Sequence, residues 1–142
     1  MKTIVLLLLG IGVLAACTKP LIEKGRICTE EYRFYNIKVT DASGGAVMLD
    51  TFYTRIVATN RTFHVNNTVP GKGDGYYTVI SDGQQLLLPE GKSMELRFIG
   101  IKNDQVLINE PYVFKNNGCH IEKVSGKDQI EFLYNPVSRL PR

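Results

Sequence analysis

Tryptophan is absent from the chain, histidine occurs twice and cysteine three times. Each shortage closes off chemistry. There is no C-x-x-C and no H-E-x-x-H, so the usual zinc-ligand spacings are missing, and no G-x-S-x-G supplies a nucleophile elbow. Gly91-Lys92-Ser93 imitates the end of a phosphate-binding loop, but Leu86 stands where its first glycine is needed, and a strand pattern follows instead of a helix. The loop Gly71 to Gly75 reads as a hairpin connection and not as an anion cradle. No block of lysine and arginine offers a nucleic-acid footprint. The lack of tryptophan counts against a sugar-stacking lectin. No window of twelve residues keeps a helical period free of glycine, proline or β-branched clusters, so helix content is expected to be small.

Charge is also missing near the start. After Lys2, the 13 residues Ile4 to Ala16 are apolar, interrupted only by Gly10 and Gly12. As a helix they would rise about 20 Å, short of a hydrocarbon core of roughly 30 Å, which suits an export signal better than a membrane span. The run closes on Leu14-Ala15-Ala16-Cys17, which resembles the lipobox of bacterial lipoproteins. That resemblance implies cleavage of residues 1–16, acylation of the Cys17 thiol and a protein tethered to a membrane by lipid. An ordinary signal peptide that happens to meet a cysteine is the alternative. Two or three acyl chains, at about 0.8 kcal/mol per buried methylene, make such a tether durable. Thr18 follows the cysteine where an aspartate would retain a lipoprotein at the inner membrane, so the same resemblance implies the outer membrane of the cell envelope.

Cleavage would leave 126 residues with 16 basic against 14 acidic side chains, a net charge of +2. Near-neutrality and export together exclude nucleic acid as a partner. Residues 17–27 have no periodicity and read as a flexible tether of about 30 Å reach. With Cys17 assigned to lipid, Cys28 and Cys119 remain as an even pair in an exported chain, and a disulfide is the expected outcome; free thiols or a metal site are the alternatives. The chain-entropy model credits such a loop of about ninety residues with roughly 4–5 kcal/mol, an upper figure. The fold should then bring its first and last elements together. His120, next to Cys119 on a strand, is expected to face outward.

From residue 28 to 134 the pattern is strand and turn. Tyr35, Ile37 and Val39 alternate with polar residues, then Asp41 to Gly45 supplies a turn; Phe52, Thr54, Ile56 and Ala58 share the face of a second strand. Thr62 to Val65, Tyr77 with Val79, and Met94-Leu96-Phe98 continue the series. Val106 to Ile108 and Tyr112 to Phe114 flank Pro111, which cannot donate to a ladder and marks an edge, a bulge or a split. Cys119 to Val124 and Ile130 with Phe132 complete the set, Tyr134 being a further candidate; residues 135–142, with two prolines, read as a disordered tail. About seven short strands predict an all-β, immunoglobulin-like antiparallel β-sandwich, with a small closed barrel as the competing architecture.

Val39 to Val47, Gly75-Tyr76-Tyr77 and Leu88-Pro89-Glu90-Gly91 together resemble the carboxypeptidase-regulatory-like and transthyretin-like β-sandwiches, over about half of the mature chain. Cys119 to Gly126 departs from that pattern and is similar to the late-cysteine ending of small envelope lipoproteins. The resemblance implies a non-catalytic binding or accessory module; from the residues themselves no cofactor and no metal is expected. Tyr32, Tyr53 and Tyr76 alternate away from the predicted core and form a candidate binding surface for an envelope protein or glycan, since tyrosine combines apolar area with a hydroxyl on few rotatable bonds. Asn60-Arg61-Thr62 and Asn66-Asn67-Thr68 match the glycosylation sequon, but a lipobox implies a bacterial source and makes both turn asparagines. Two other classes stay open: a small enzyme inhibitor, for which a charge of +2 is poorly suited to steering onto a basic target such as lysozyme, and a metal-dependent hydrolase built on His64 or His120. Replacing Cys17 by serine is expected to release the protein from membranes in cell fractionation; continued membrane retention would overturn the lipobox reading.

Overall fold

The computed structural model describes residues 25–65 and 73–132. Cys17, the sequon at 66–68, Tyr134 and the tail from 135 lie outside the described residues. The strands are β1 (Phe34–Asp41), β2 (Thr51–Ile56), β3 (Thr62–Phe63), β4 (Tyr76–Ser81), β5 (Ser93–Lys102), β6 (Gln105–Asn116), β7 (Ile121–Ser125) and β8 (Gln129–Phe132), and a 3-10 helix spans Asp82–Leu87 between β4 and β5. They form two sheets, one ordered β4-β1-β8 and the other β3-β2-β5-β6-β7. The arrangement is a sandwich and not a closed barrel.

Period-two alternation produces the core. Ile37 and Val39 from β1, Tyr77 and Val79 from β4, Ile56 from β2, Leu96 and Phe98 from β5, Tyr112 and Phe114 from β6 and Ile121 from β7 are all buried in one cluster. Burying each large side chain of this kind contributes about 1.5–3 kcal/mol. One polar tie crosses the same interior: the Thr54 hydroxyl donates to the Val79 carbonyl at 2.6 Å, joining β2 to β4. Such a bond satisfies two groups that burial would otherwise leave without water.

The chain termini of the domain meet as the cysteine pairing implied. β1 pairs with β8, Val39 opposite Ile130, but the two run parallel while every other ladder is antiparallel. The parallel pair is possible because β8 reaches β1 by crossing from the other sheet after β7. Pro111 neither splits nor ends β6, which is continuous; it lies opposite Arg97 in the half of β6 that β7 does not cover, since β7 pairs only with Val113 to Asn116. A missing donor is harmless on that uncovered side. Ala58 falls beyond the end of β2.

The crossing from β7 to β8 depends on one glycine. Gly126 has φ of 129°, and a Cβ at this position would overlap the Tyr112 ring. The ring is buried, its hydroxyl donates to the Lys127 carbonyl at 2.9 Å, and burial pushes the hydroxyl pKa well above the usual tyrosine value. The chain is thus bent over the tyrosine and tied to it. Gly126→Ala is expected to cost about 2–3 kcal/mol in urea unfolding, from backbone strain added to overpacking; a loss under about 0.5 kcal/mol would show that the crossing does not depend on this contact.

Candidate functional site

The two ends of the sandwich differ in kind. At the end where the described chain begins, Cys28 and Cys119 form a disulfide with their Cα atoms 5.4 Å apart, closing 91 residues of sequence. Beside it, Asp82 at the start of the 3-10 helix accepts three bonds: from the Ile121 backbone N–H at 2.8 Å, from the Arg33 backbone N–H at 3.0 Å and from His120 Nδ1 at 2.8 Å. Its own N–H donates to the Arg33 carbonyl at 3.0 Å. One carboxylate therefore joins the chain entering β1, the end of β4 and the start of β7. Burial works to raise its pKa, but the Ile121 and Arg33 amides and His120 outweigh that and hold the carboxyl below its ordinary value.

His120 corrects an expectation. It is 6% exposed rather than outward-facing, because residues 117–120 form a bend and β7 begins only at Ile121, so strand alternation does not govern it. The bend is set by Asn117, whose Oδ1 accepts from the Cys119 and His120 amides at 2.9 and 2.7 Å. Because Asp82 is ionised and can only accept, Nδ1 carries the proton; in the neutral imidazole Nε2 then accepts from the Thr29 hydroxyl, 2.9 Å away. Thr29 adjoins Cys28 and His120 adjoins Cys119, so the disulfide brings the pair into register.

Hydroxyl, imidazole and carboxylate in line are also the components of a nucleophilic triad. Here the Cys119 and His120 amides are bonded to Asn117, and none of the three residues lines the cavity at the other end of the sandwich. The array acts as a clasp. Asn116 reinforces it: its Nδ2 donates to the Gln85 and Leu88 carbonyls while its Oδ1 accepts from Gly118 N–H and Gln85 Nε2, fastening the 3-10 helix to β6.

The opposite end holds a cavity of about 690 Å³, lined by Asp41, Val47, Lys102, Asn103, Gln105, Leu107 and Phe132, where the turn after β1, the β5–β6 hairpin and the end of β8 come together. Its walls are braced. Asp50 accepts from the Asn103 N–H at 2.6 Å, and the buried Tyr77 hydroxyl donates to the Val47 carbonyl at 2.9 Å while accepting from Leu49 N–H at 2.7 Å. No cluster of three or more histidine, cysteine, aspartate or glutamate side chains that could hold a metal occurs among the described residues.

The three tyrosines proposed from sequence do not converge. Tyr53 lies on the outer face of the five-stranded sheet, next to exposed His64, with ring centroids 6.1 Å apart. Tyr76 lies at the start of β4 on the outer face of the other sheet, beneath Lys38 Nζ. Tyr32 sits beyond the far end of β4, where its hydroxyl meets Ser81 Oγ at 3.2 Å. The two histidines also lie apart, His120 in the clasp and His64 on an outer face. What sequence reasoning missed are Thr29 and Asp82 at one end and Asp41 and Lys102 at the other; Ser81-Asp82-Gly83 and Asp41 to Gly45 carried only turn signals.

Asp82 gives the clasp a pH dependence. A carboxyl held below its unfolded value contributes stability that is complete above about pH 4 and is lost as pH falls through the folded value. Asp82→Asn keeps one acceptor but aims an amide at a backbone donor, and is expected to lose about 3 kcal/mol at pH 7 by urea unfolding. The gap to the parent should narrow below pH 4; a gap that stays constant from pH 7 to pH 3 would contradict the assignment. Compared with family models, curated proteins and solved structures, the chain matches none.

Proposed function

We propose that the protein is a lipid-anchored envelope lipoprotein, held at the outer membrane through Cys17, that serves as a non-catalytic binding or accessory module and presents the end of its β-sandwich away from the tether. The lipobox Leu14 to Cys17 motivates the anchor. The observation that carries the binding role is the polarity of the fold. Phe34 starts β1 beside the clasp and Asp41 ends it at the cavity, so the strand's eight residues separate the two by about 25 Å. A disulfide and a largely buried carboxylate at the tether end resist pulling and local opening, while the braced cavity at the far end is accessible to a partner in the envelope. Mixed polar and apolar lining within the usual ~300–1,000 Å³ range is typical of a recognition site.

This reading relocates binding from the tyrosines to the distal end, since Tyr32, Tyr53 and Tyr76 occupy separate surfaces. It also leaves His64 and His120 without catalytic duty. A photo-crosslinking residue at Gln105, on the cavity rim, is expected to give discrete adducts in intact cells that the same residue at Leu86, an exposed position on the 3-10 helix, does not. Adducts at Leu86 alone, or equal patterns at both positions, would overturn the distal-end reading.

A further inference from the structure

The cavity carries two opposite charges that do not neutralise each other. Asp41 and Lys102 both line it, yet among the described residues neither belongs to an ion pair, so their charged atoms lie more than 4.0 Å apart. The carboxylate is held in position: Asp41 Oδ1 accepts from Ser43 Oγ at 2.6 Å, Ser43 N–H at 2.8 Å and Gly45 N–H at 2.9 Å. These donors, the Ser43 hydroxyl foremost, keep the carboxyl ionised by lowering its pKa. All three fall on one oxygen. Oδ2 is left without a hydrogen-bond donor among the described residues, and it lies close to Gly45, where a Cβ would come within 2.9 Å of it.

Lys102 is the cationic residue of the lining. It ends β5, and the following Asn103 and Asp104 have φ of 50° and 59°, a tight left-handed turn that fixes the hairpin and with it the base of the lysine. The lining also includes the apolar residues Val47, Leu107 and Phe132. A lone anion would meet Asp41, a lone cation would meet Lys102, and a neutral sugar would leave both charges uncompensated. A metal ion would find one carboxylate where several ligands are needed.

We propose that the cavity binds an unblocked apolar amino acid or short peptide, its ammonium on Asp41, its carboxylate on Lys102 and its side chain on Val47, Leu107 and Phe132. The proposal rests on the distal-end reading above and names the ligand class for that end. Charge-assisted hydrogen bonds at both termini fix the ligand's direction, and the apolar floor supplies area. A zwitterionic lipid headgroup shares the two charges but has no apolar group between them for that floor.

The test uses the full chain in detergent and isothermal titration with the dipeptide phenylalanyl-leucine, its N-acetyl form and its C-terminal amide. The free dipeptide should bind at least tenfold tighter than either blocked form. Asp41→Asn, which keeps an acceptor for Ser43 and Gly45, should weaken the free dipeptide about tenfold and leave the N-acetyl form unchanged. Lys102→Gln should do the same with respect to the amide. Equal binding of blocked and free peptides, or variants that bind like the parent, would overturn the proposal, and the Lys102 arm stands alone if the Asp41 variant fails to fold. Absence of binding by every peptide, with crosslinked adducts at Gln105 retained, would refute the ligand class but keep the distal-end reading; absence of both would refute the two together.

Discussion

A carboxylate removed from water must be compensated or neutralised, and at Asp82 compensation comes from three segments at once. The amide of Arg33 belongs to the chain entering β1, that of Ile121 opens β7, and His120 precedes it. Since β1 and β7 belong to different sheets, the charge ties the sandwich together at one end. The cost of burying it falls on any conformation in which one of these donors is withdrawn, so the three segments are fixed jointly. The disulfide limits how far the same segments can separate in the unfolded chain, and the carboxylate fixes how they meet in the folded one.

That joint fixation accounts for the polarity of the molecule. Polar groups at the clasped end are consumed by one another: Thr29 by His120, His120 by Asp82, and Asn116 by the carbonyls of the 3-10 helix. At the other end the polar groups are positioned but not consumed, with Asp41 braced by Ser43 and Gly45, Asn103 by Asp50, and Val47 by Tyr77. The fold thus satisfies its polar groups at one end and places charged residues along a cavity at the other. The line of Thr29, His120 and Asp82 belongs to the clasped end, where its members bond to one another.

Much of the fold was legible in the sequence. The alternation of Ile37 with Val39, of Leu96 with Phe98 and of Tyr112 with Phe114 is a local property of extended chain, and burial follows it. Cys28 and Cys119 were legible by elimination. The clasp was not. His120 was misjudged because alternation was extended across a bend that Asn117 creates, and no sequence pattern announces which side-chain oxygen will hold two amides. Asp82 looked like a turn residue and is one, but its function depends on donors 39 and 49 residues away.

The sequence by itself determined an all-β chain with small helix content, an apolar run of 13 residues ahead of Cys17, and a pairing of first and last elements through the cysteines, because these depend on short-range periodicity, length and count. Only the tertiary structure decided that β1 and β8 run parallel, that Tyr32, Tyr53 and Tyr76 scatter over separate surfaces, and that Asp41 and Lys102 share one cavity. Strand pattern specifies which face a residue takes. It does not specify which distant strand comes to lie beside it, and the chemistry at both ends of this sandwich arises from such distant meetings.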